Sequence, residues 1–147
     1  MLNVRSESKM HRRLVTIGPD GASGWSTPKF DEALLEPICM AGIVRYQHAG
    51  KSLILFSNPH NLEGGREGKL NPGKSRDRRN LSIKISRDEG QTWPVNKLLE
   101  DGPSMYSDIA VTQGGTILCF YGRGTKPGFA GAVITLARFN LEWLEQP

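Results

Sequence analysis

The side chains of this chain that could do chemistry are mostly cations. Arg66, Lys69, Lys74, Arg76, Arg78 and Arg79 fall within 14 residues and supply much of a formal net charge of +4. A guanidinium is planar and grips an acid group through paired, charge-assisted hydrogen bonds. An anionic small ligand would need only a few of these arginines, and the remaining charges read as a solvated loop. Nucleic acid is a poor fit, because no aromatic residues are interleaved to stack bases. Cys39 and Cys119 are too few and too far apart for a disulfide or metal framework, and read as small buried hydrophobes. His11, His48 and His60 are scattered without metal-ligand spacing and read as surface-loop residues. Tyr106, taken alone, is an ordinary half-buried strand tyrosine.

The elements that must position these groups are short strands. Candidates are Leu2 to Arg5, Arg12 to Ile17, Ala41 to Tyr46, Ser52 to Ser57, Leu81 to Ile85, Ser107 to Val111, Thr116 to Tyr121 and Ala132 to Phe139. Gly, Pro, Asp and Asn turns separate them, and Asn140 to Leu144 could form one helical turn. The alternation in Leu81-Ser82-Ile83-Lys84-Ile85 predicts a half-buried strand. Directly after it comes Ser86-Arg87-Asp88-Glu89-Gly90-Gln91-Thr92-Trp93. Asp88 can accept backbone N–H groups, Gly90 tolerates positive φ, and Trp93 can fold back over apolar surface. With Ser86 and Thr92, these residues resemble the Asp-box of the sialidase superfamily, a mark of β-propeller blades.

A weaker echo lies upstream. Gly18-Pro19-Asp20-Gly21-Ala22-Ser23-Gly24-Trp25 follows the strand at Leu14 to Ile17, with Asp20 and Trp25 each 68 residues before Asp88 and Trp93. Two hairpins of one type predict a repeat architecture. The fold class expected is all-β, part of a six-bladed propeller. About two to two and a half four-stranded blades follow from the strands counted. The 147 residues form one domain, the C-terminal part of a larger propeller domain or a unit that self-associates. No apolar run approaches the ~20 residues that span a bilayer. Residues Met1 to Glu7 lack the basic and apolar regions of a signal peptide, which leaves the compartment open.

Three further segments make the resemblance more specific. Arg78-Arg79-Asn80-Leu81, Gly102 to Ile109 and Ala137 to Leu144, together with Leu53 to Pro59, resemble the C-terminal part of bacterial and animal exo-α-sialidases from Leu2 to Leu144. That resemblance implies release of terminal sialic acids from glycans, with retention and without a cofactor or metal. It implies Tyr106 as nucleophile, a known exception among glycosidases. It implies Arg78 and Arg5 as two of three arginines that clamp the sialic acid carboxylate; Arg79 competes with Arg78 by adjacency. Ser86, Asp88, Gly90, Thr92 and Trp93 remain structural, and so does Asp108.

Two departures bear on activity. The family's base glutamate, first arginine and aspartate acid/base would all lie upstream of Met1. Gly122 stands where the family usually has a glutamate, after Tyr121. Glu7 and Glu36 have no context that supports a substitute base. The expectation is a sialidase portion inactive alone. The alternatives are a non-catalytic sialic-acid-binding or relic propeller module, and a truncated chain whose Met1 is internal. The segment from 64 to 76 could cover the site or decorate its rim.

Overall fold

The computed structural model describes residues 1–62, 78–124 and 133–147. Among them run β1 (Leu2–Val4), β2 (Arg12–Thr16), β3 (Lys29–Leu35), β4 (Gly42–His48), β5 (Lys51–Pro59), β6 (Arg79–Ser86), β7 (Val95–Val111), β8 (Ile117–Arg123), β9 (Val133–Phe139) and α1 (Leu141–Glu145). Strands β1, β2 and β3 form one antiparallel sheet, and β4 to β9 form another in chain order. Every strand expected from the sequence overlaps an observed one. The basic segment through Arg76 and the insertion from 64 to 76 lie outside the described residues.

Strand β7 divides the larger sheet. It pairs with β6 from Val95 to Pro103 and with β8 from Ser104 to Val111. The exchange falls at Gly102-Pro103, where Gly102 takes φ +106 and Pro103 has no N–H to give. Three sectors of three, four and three strands result, with β7 shared between the last two. They are successive blades, as in a propeller.

Two expectations need correction. Strand β3 was not anticipated, because Lys29-Phe30-Asp31-Glu32-Ala33-Leu34-Leu35 does not alternate and its only fully buried side chain is Leu34. The first half of β7 was not anticipated either, since Gly102-Pro103 reads as a turn.

The core has two parts on opposite faces of β5 and β6. Leu53, Leu55, Leu81, Ile83 and Ile85 join Ile109, Ile117, Cys119 and the helical residues Leu141 and Leu144. Asn140 caps that single turn by accepting from the Trp143 N–H at 3.0 Å. On the other face Ile54 and Phe56 meet Leu34 of β3 and Trp93. Strand β6 is therefore not half-buried as its alternation predicts. Ser82 and Lys84 are covered as completely as Ile83, because the β1–β3 sheet lies over them.

Lys84 is 1% exposed. Its Nζ donates to Asn58 Oδ1 at 3.0 Å and lies 5.6 Å from the Phe56 ring centroid. Burial drives its pKa down to about 7, against an opposing pull from Asp31. His60 is half-buried at the end of β5, not a surface-loop residue, and desolvation lowers its pKa to about 4.

Candidate active site

The Asp-box forms as its residue types dictate. Asp88 Oδ1 accepts from Ser86 Oγ at 2.8 Å, from the Gln91 N–H at 3.1 Å and from the Thr92 N–H at 2.8 Å. Thr92 Oγ1 donates to Asp88 Oδ2 at 2.5 Å, and Ser86 Oγ accepts from the Gly90 N–H at 2.8 Å. These bonds, led by those from Thr92, hold the Asp88 carboxyl at a pKa of about 2. Gly90 takes φ +84 there. Trp93 folds inward against Phe56, and its indole N–H donates to Asp31 Oδ2 on β3 at 2.9 Å. The motif thus ties two sectors together.

The upstream echo closes the same kind of turn one residue shorter. Asp20 Oδ1 accepts from the Ala22 and Ser23 N–H groups, and Asp20 Oδ2 accepts from Ser23 Oγ.

Tyr106 stands just past the point where β7 changes partners. Ser104 pairs with Arg123 and Ser107 with Tyr121, so Met105 and Tyr106 together oppose the single residue Gly122. This is a β-bulge, a device that re-aims side chains. It leaves Tyr106 40% exposed, while Ser104 and Ser107 beside it are buried. Ser107 Oγ is anchored on Ser57 of β5 at 2.9 Å.

Arg78 and Arg5 converge on this tyrosine. The Arg78 guanidinium carbon lies 5.1 Å from the Tyr106 ring centroid. Its Nη2 donates to the Ile38 carbonyl at 2.5 Å, and its buried Nε has no hydrogen-bond partner among the described residues. The N–H groups of Arg5, then the charge and N–H groups of Arg78, hold the Tyr106 phenol below its ordinary pKa. Arg5 follows β1, and its one ion pair among the described residues is a long contact of 3.9 Å to Glu7. Arg79 is the first residue of β6, pairs with Pro103 and is exposed. Of the two adjacent arginines, Arg78 is the one set over Tyr106.

Asp108 bonds locally, accepting from the Ile109 N–H at 2.9 Å. Glu36 is fully buried and ion-paired with Arg13. Its other oxygen accepts from the Cys39 N–H at 2.7 Å. Cys39 and Cys119 are both buried, and burial raises their thiols to about 11 and about 12. On β8, Tyr121 donates to Glu100 at 2.9 Å, and Arg123 pairs with the same carboxylate at 3.0 Å. No helix is long and apolar enough to cross a membrane among the described residues.

Sequence reasoning singles out neither Arg13 nor, beyond its discounting as a base, Glu36. They lie 23 positions apart with no motif between them, and only their joint burial marks them.

The arrangement offers two cationic forks beside an exposed phenol. Comparison with known proteins bears on the family and the fold. A family model described as BNR repeat-like domain matches residues 1–119. The chain is similar to the sialidase of Micromonospora viridifaciens, with 30% identity over 150 residues, 98% of this chain and 20% of that protein. It is similar to the sialidase of Bacteroides fragilis strain YCH46, with 35% identity over 107 residues, 69% of this chain and 17% of that protein. Its fold matches a Hadza microbial sialidase with a TM-score of 0.67 and 28% identity, over 91% of this chain and 24% of that one. It also matches the intramolecular trans-sialidase of Ruminococcus gnavus, solved with oseltamivir carboxylate. There the TM-score is 0.68 over 95% of this chain and 30% of that one, and the 18% identity makes it a likeness of fold alone. The three sectors are therefore blades of a β-propeller. The chain spans about a fifth of the length of the curated relatives it matches.

Proposed function

Because the chain belongs to the BNR repeat-like family of sialidase-type domains, we propose that it carries the carboxylate clamp and the nucleophile of a sialoside-cleaving site. The observation that carries this reading is the convergence of Arg5, Arg78 and Tyr106 from three separate elements.

The chemistry follows from the residue types. A sialic acid bears its carboxylate on the anomeric carbon. Arg5 and Arg78 hold that carboxylate, and their charge keeps the neighbouring phenol acidic. Tyr106 attacks the anomeric carbon as the glycosidic bond breaks, giving a tyrosyl glycoside that water then hydrolyses with net retention. A neutral phenol approaches this carbon without the repulsion that a carboxylate nucleophile would meet. The phenol still needs a base, and the leaving oxygen needs an acid. The leading influences on Tyr106 are cationic, so in this reading both groups come from polypeptide beyond these residues. The short share of the relatives' length supports that division.

A second reading, a carbohydrate-binding module without turnover, is favoured by Gly122, which brings no carboxylate opposite the bulge. One experiment separates them. The purified chain is titrated with N-acetylneuraminic acid and assayed with a fluorogenic sialoside. The proposal expects binding that Arg78→Ala abolishes, and turnover only when the remaining blades are supplied. Binding with no turnover in the full-length product would favour the module. Robust hydrolysis by these 147 residues alone would overturn the division of labour.

A further inference from the structure

Beneath the two candidate clamp arginines lies a buried ion pair with no part in the chemistry above. We propose that the Arg13–Glu36 pair is a positioning element that sets the separation of the Arg5 and Arg78 guanidiniums, and so fits the site to a carboxylate. The inference rests on the reading that these two arginines hold a carboxylate.

The connections run in both directions from Arg13 on β2. Toward Arg5, Arg13 Nε donates to Asn3 Oδ1 at 2.5 Å and Nη2 donates to the Asn3 carbonyl at 2.9 Å. Asn3 lies on β1, two residues before Arg5. One guanidinium thus fixes both the backbone and the side chain of the strand that delivers Arg5. Toward Arg78, Arg13 Nη1 donates to the Cys39 carbonyl at 3.0 Å and to Glu36 Oε2. Glu36 Oε1 accepts from the Cys39 N–H. The turn between Glu36 and Cys39 is therefore held at both ends. Within it Ile38 is buried with φ +59, a conformation that a β-branched residue adopts only under constraint. The carbonyl of that same Ile38 receives Arg78 Nη2.

An unbroken path thus joins the two clamp residues: Arg5, Asn3, Arg13, Glu36, Ile38, Arg78. An apolar pair of similar volume would fill the space, and such replacements are often neutral or stabilising. It would make none of these directed bonds. The ion pair's distinct contribution is direction.

Tyr106 reports on this directly. The chain has three tyrosines, and Tyr46 and Tyr121 are buried, so Tyr106 is the exposed one. Its ionisation is followed by NMR of the full chain with ¹³Cζ-labelled tyrosine, in wild type and in the double variant Arg13→Met/Glu36→Leu. Wild-type Tyr106 is expected to titrate below ~10. In the double variant it is expected to return to that ordinary range while thermal unfolding stays cooperative. N-acetylneuraminic acid affinity is expected to fall at least ~tenfold, or ~1.4 kcal/mol. A folded double variant whose Tyr106 titrates as in wild type overturns the proposal, as does a wild-type Tyr106 in the ordinary range. Should the double variant not fold, Asn3→Ala decides the matter. It removes the side-chain half of the tie to the Arg5 strand, leaves the bond to the Asn3 carbonyl, and is expected to move Tyr106 part of the way; no movement overturns the proposal. A wild-type chain that binds no N-acetylneuraminic acid sinks the sialoside reading alone, because the Tyr106 titration still decides the positioning.

Discussion

Replacing Lys84 by methionine should stabilise this protein at pH 6, by an amount that falls as pH rises. Lys84 is an amine sealed between two sheets, with Asn58 Oδ1 as its hydrogen-bond acceptor and Phe56 beneath it. In the unfolded chain it holds its proton to about pH 10.5; in the folded protein it releases it near pH 7. Between those values the unfolded state binds more protons, so wild-type stability rises with pH across this window. Below about pH 7 both states are protonated and the full penalty applies. The gap between 10.5 and about 7 is worth ~5 kcal/mol at ~1.36 kcal/mol per pKa unit. Methionine fills a similar volume without charge. It also leaves the Asn58 oxygen without its donor, at a cost of ~1–3 kcal/mol. Lys84→Met is therefore expected to gain ~2–4 kcal/mol at pH 6 and to lose up to ~2 kcal/mol at pH 10, where the charge penalty is nearly gone and the Asn58 cost remains. Urea unfolding of both proteins at pH 6, 8 and 10, followed by tryptophan fluorescence, measures the difference. An equal loss of stability at all three pH values would refute the reasoning, since it would mean that the folded protein holds this charge without strain.

Three further outcomes are expected. Tyr106→Phe leaves the urea midpoint unchanged, because the side chain is largely exposed, and removes any sialoside hydrolysis of the assembled enzyme; hydrolysis at the wild-type rate would eliminate Tyr106 as nucleophile. Phe56→Ala costs ~3–5 kcal/mol, as for other buried aromatic truncations, measured by the same unfolding curves. Asp88→Ala speeds amide hydrogen exchange at Gln91 and Thr92, whose N–H groups lose their acceptor. In wild type the Asp88 contribution is present above about pH 4 and is lost as pH falls toward 2, since its folded pKa is the lower one. Exchange at those amides that is indifferent to the substitution would remove Asp88 from its role.

The parts of the fold legible in the sequence are those whose contacts are local. Every hydrogen bond to the Asp88 carboxylate comes from within four residues, so eight letters describe the turn. The preference for Arg78 over Arg79 came from the resemblance, through the Arg78-Arg79-Asn80-Leu81 pattern, and not from any local signal in the two residues. What stayed hidden depends on distant partners. Lys84 looked like a solvent-facing lysine because the sheet that covers it includes β3, whose own pattern gives no strand signal. Trp93 was readable as a cap, but its partner Asp31 lies 62 residues away. Glu36 carries no local mark at all. Its significance comes from burial against Arg13, and burial is a property of the assembled sheets.

The exchange of partners along β7 divides the molecule by robustness. One continuous strand belongs to two blades, so displacing β7 disturbs both, and β4 to β9 are expected to unfold as one cooperative unit. The sheet of β1 to β3 has no such shared strand. Side-chain ties hold it, such as Trp93 to Asp31, Asn58 to Leu35 and Arg78 to Ile38. It is expected to open first under mild denaturant, as a separate foldon. Arg5 travels with that unit, whereas Tyr106 and Arg78 stay with the stronger one. If the proposed site holds an acid ligand, its affinity is expected to fail before the protein unfolds, and the bound ligand to protect the β1–β3 amides most of all.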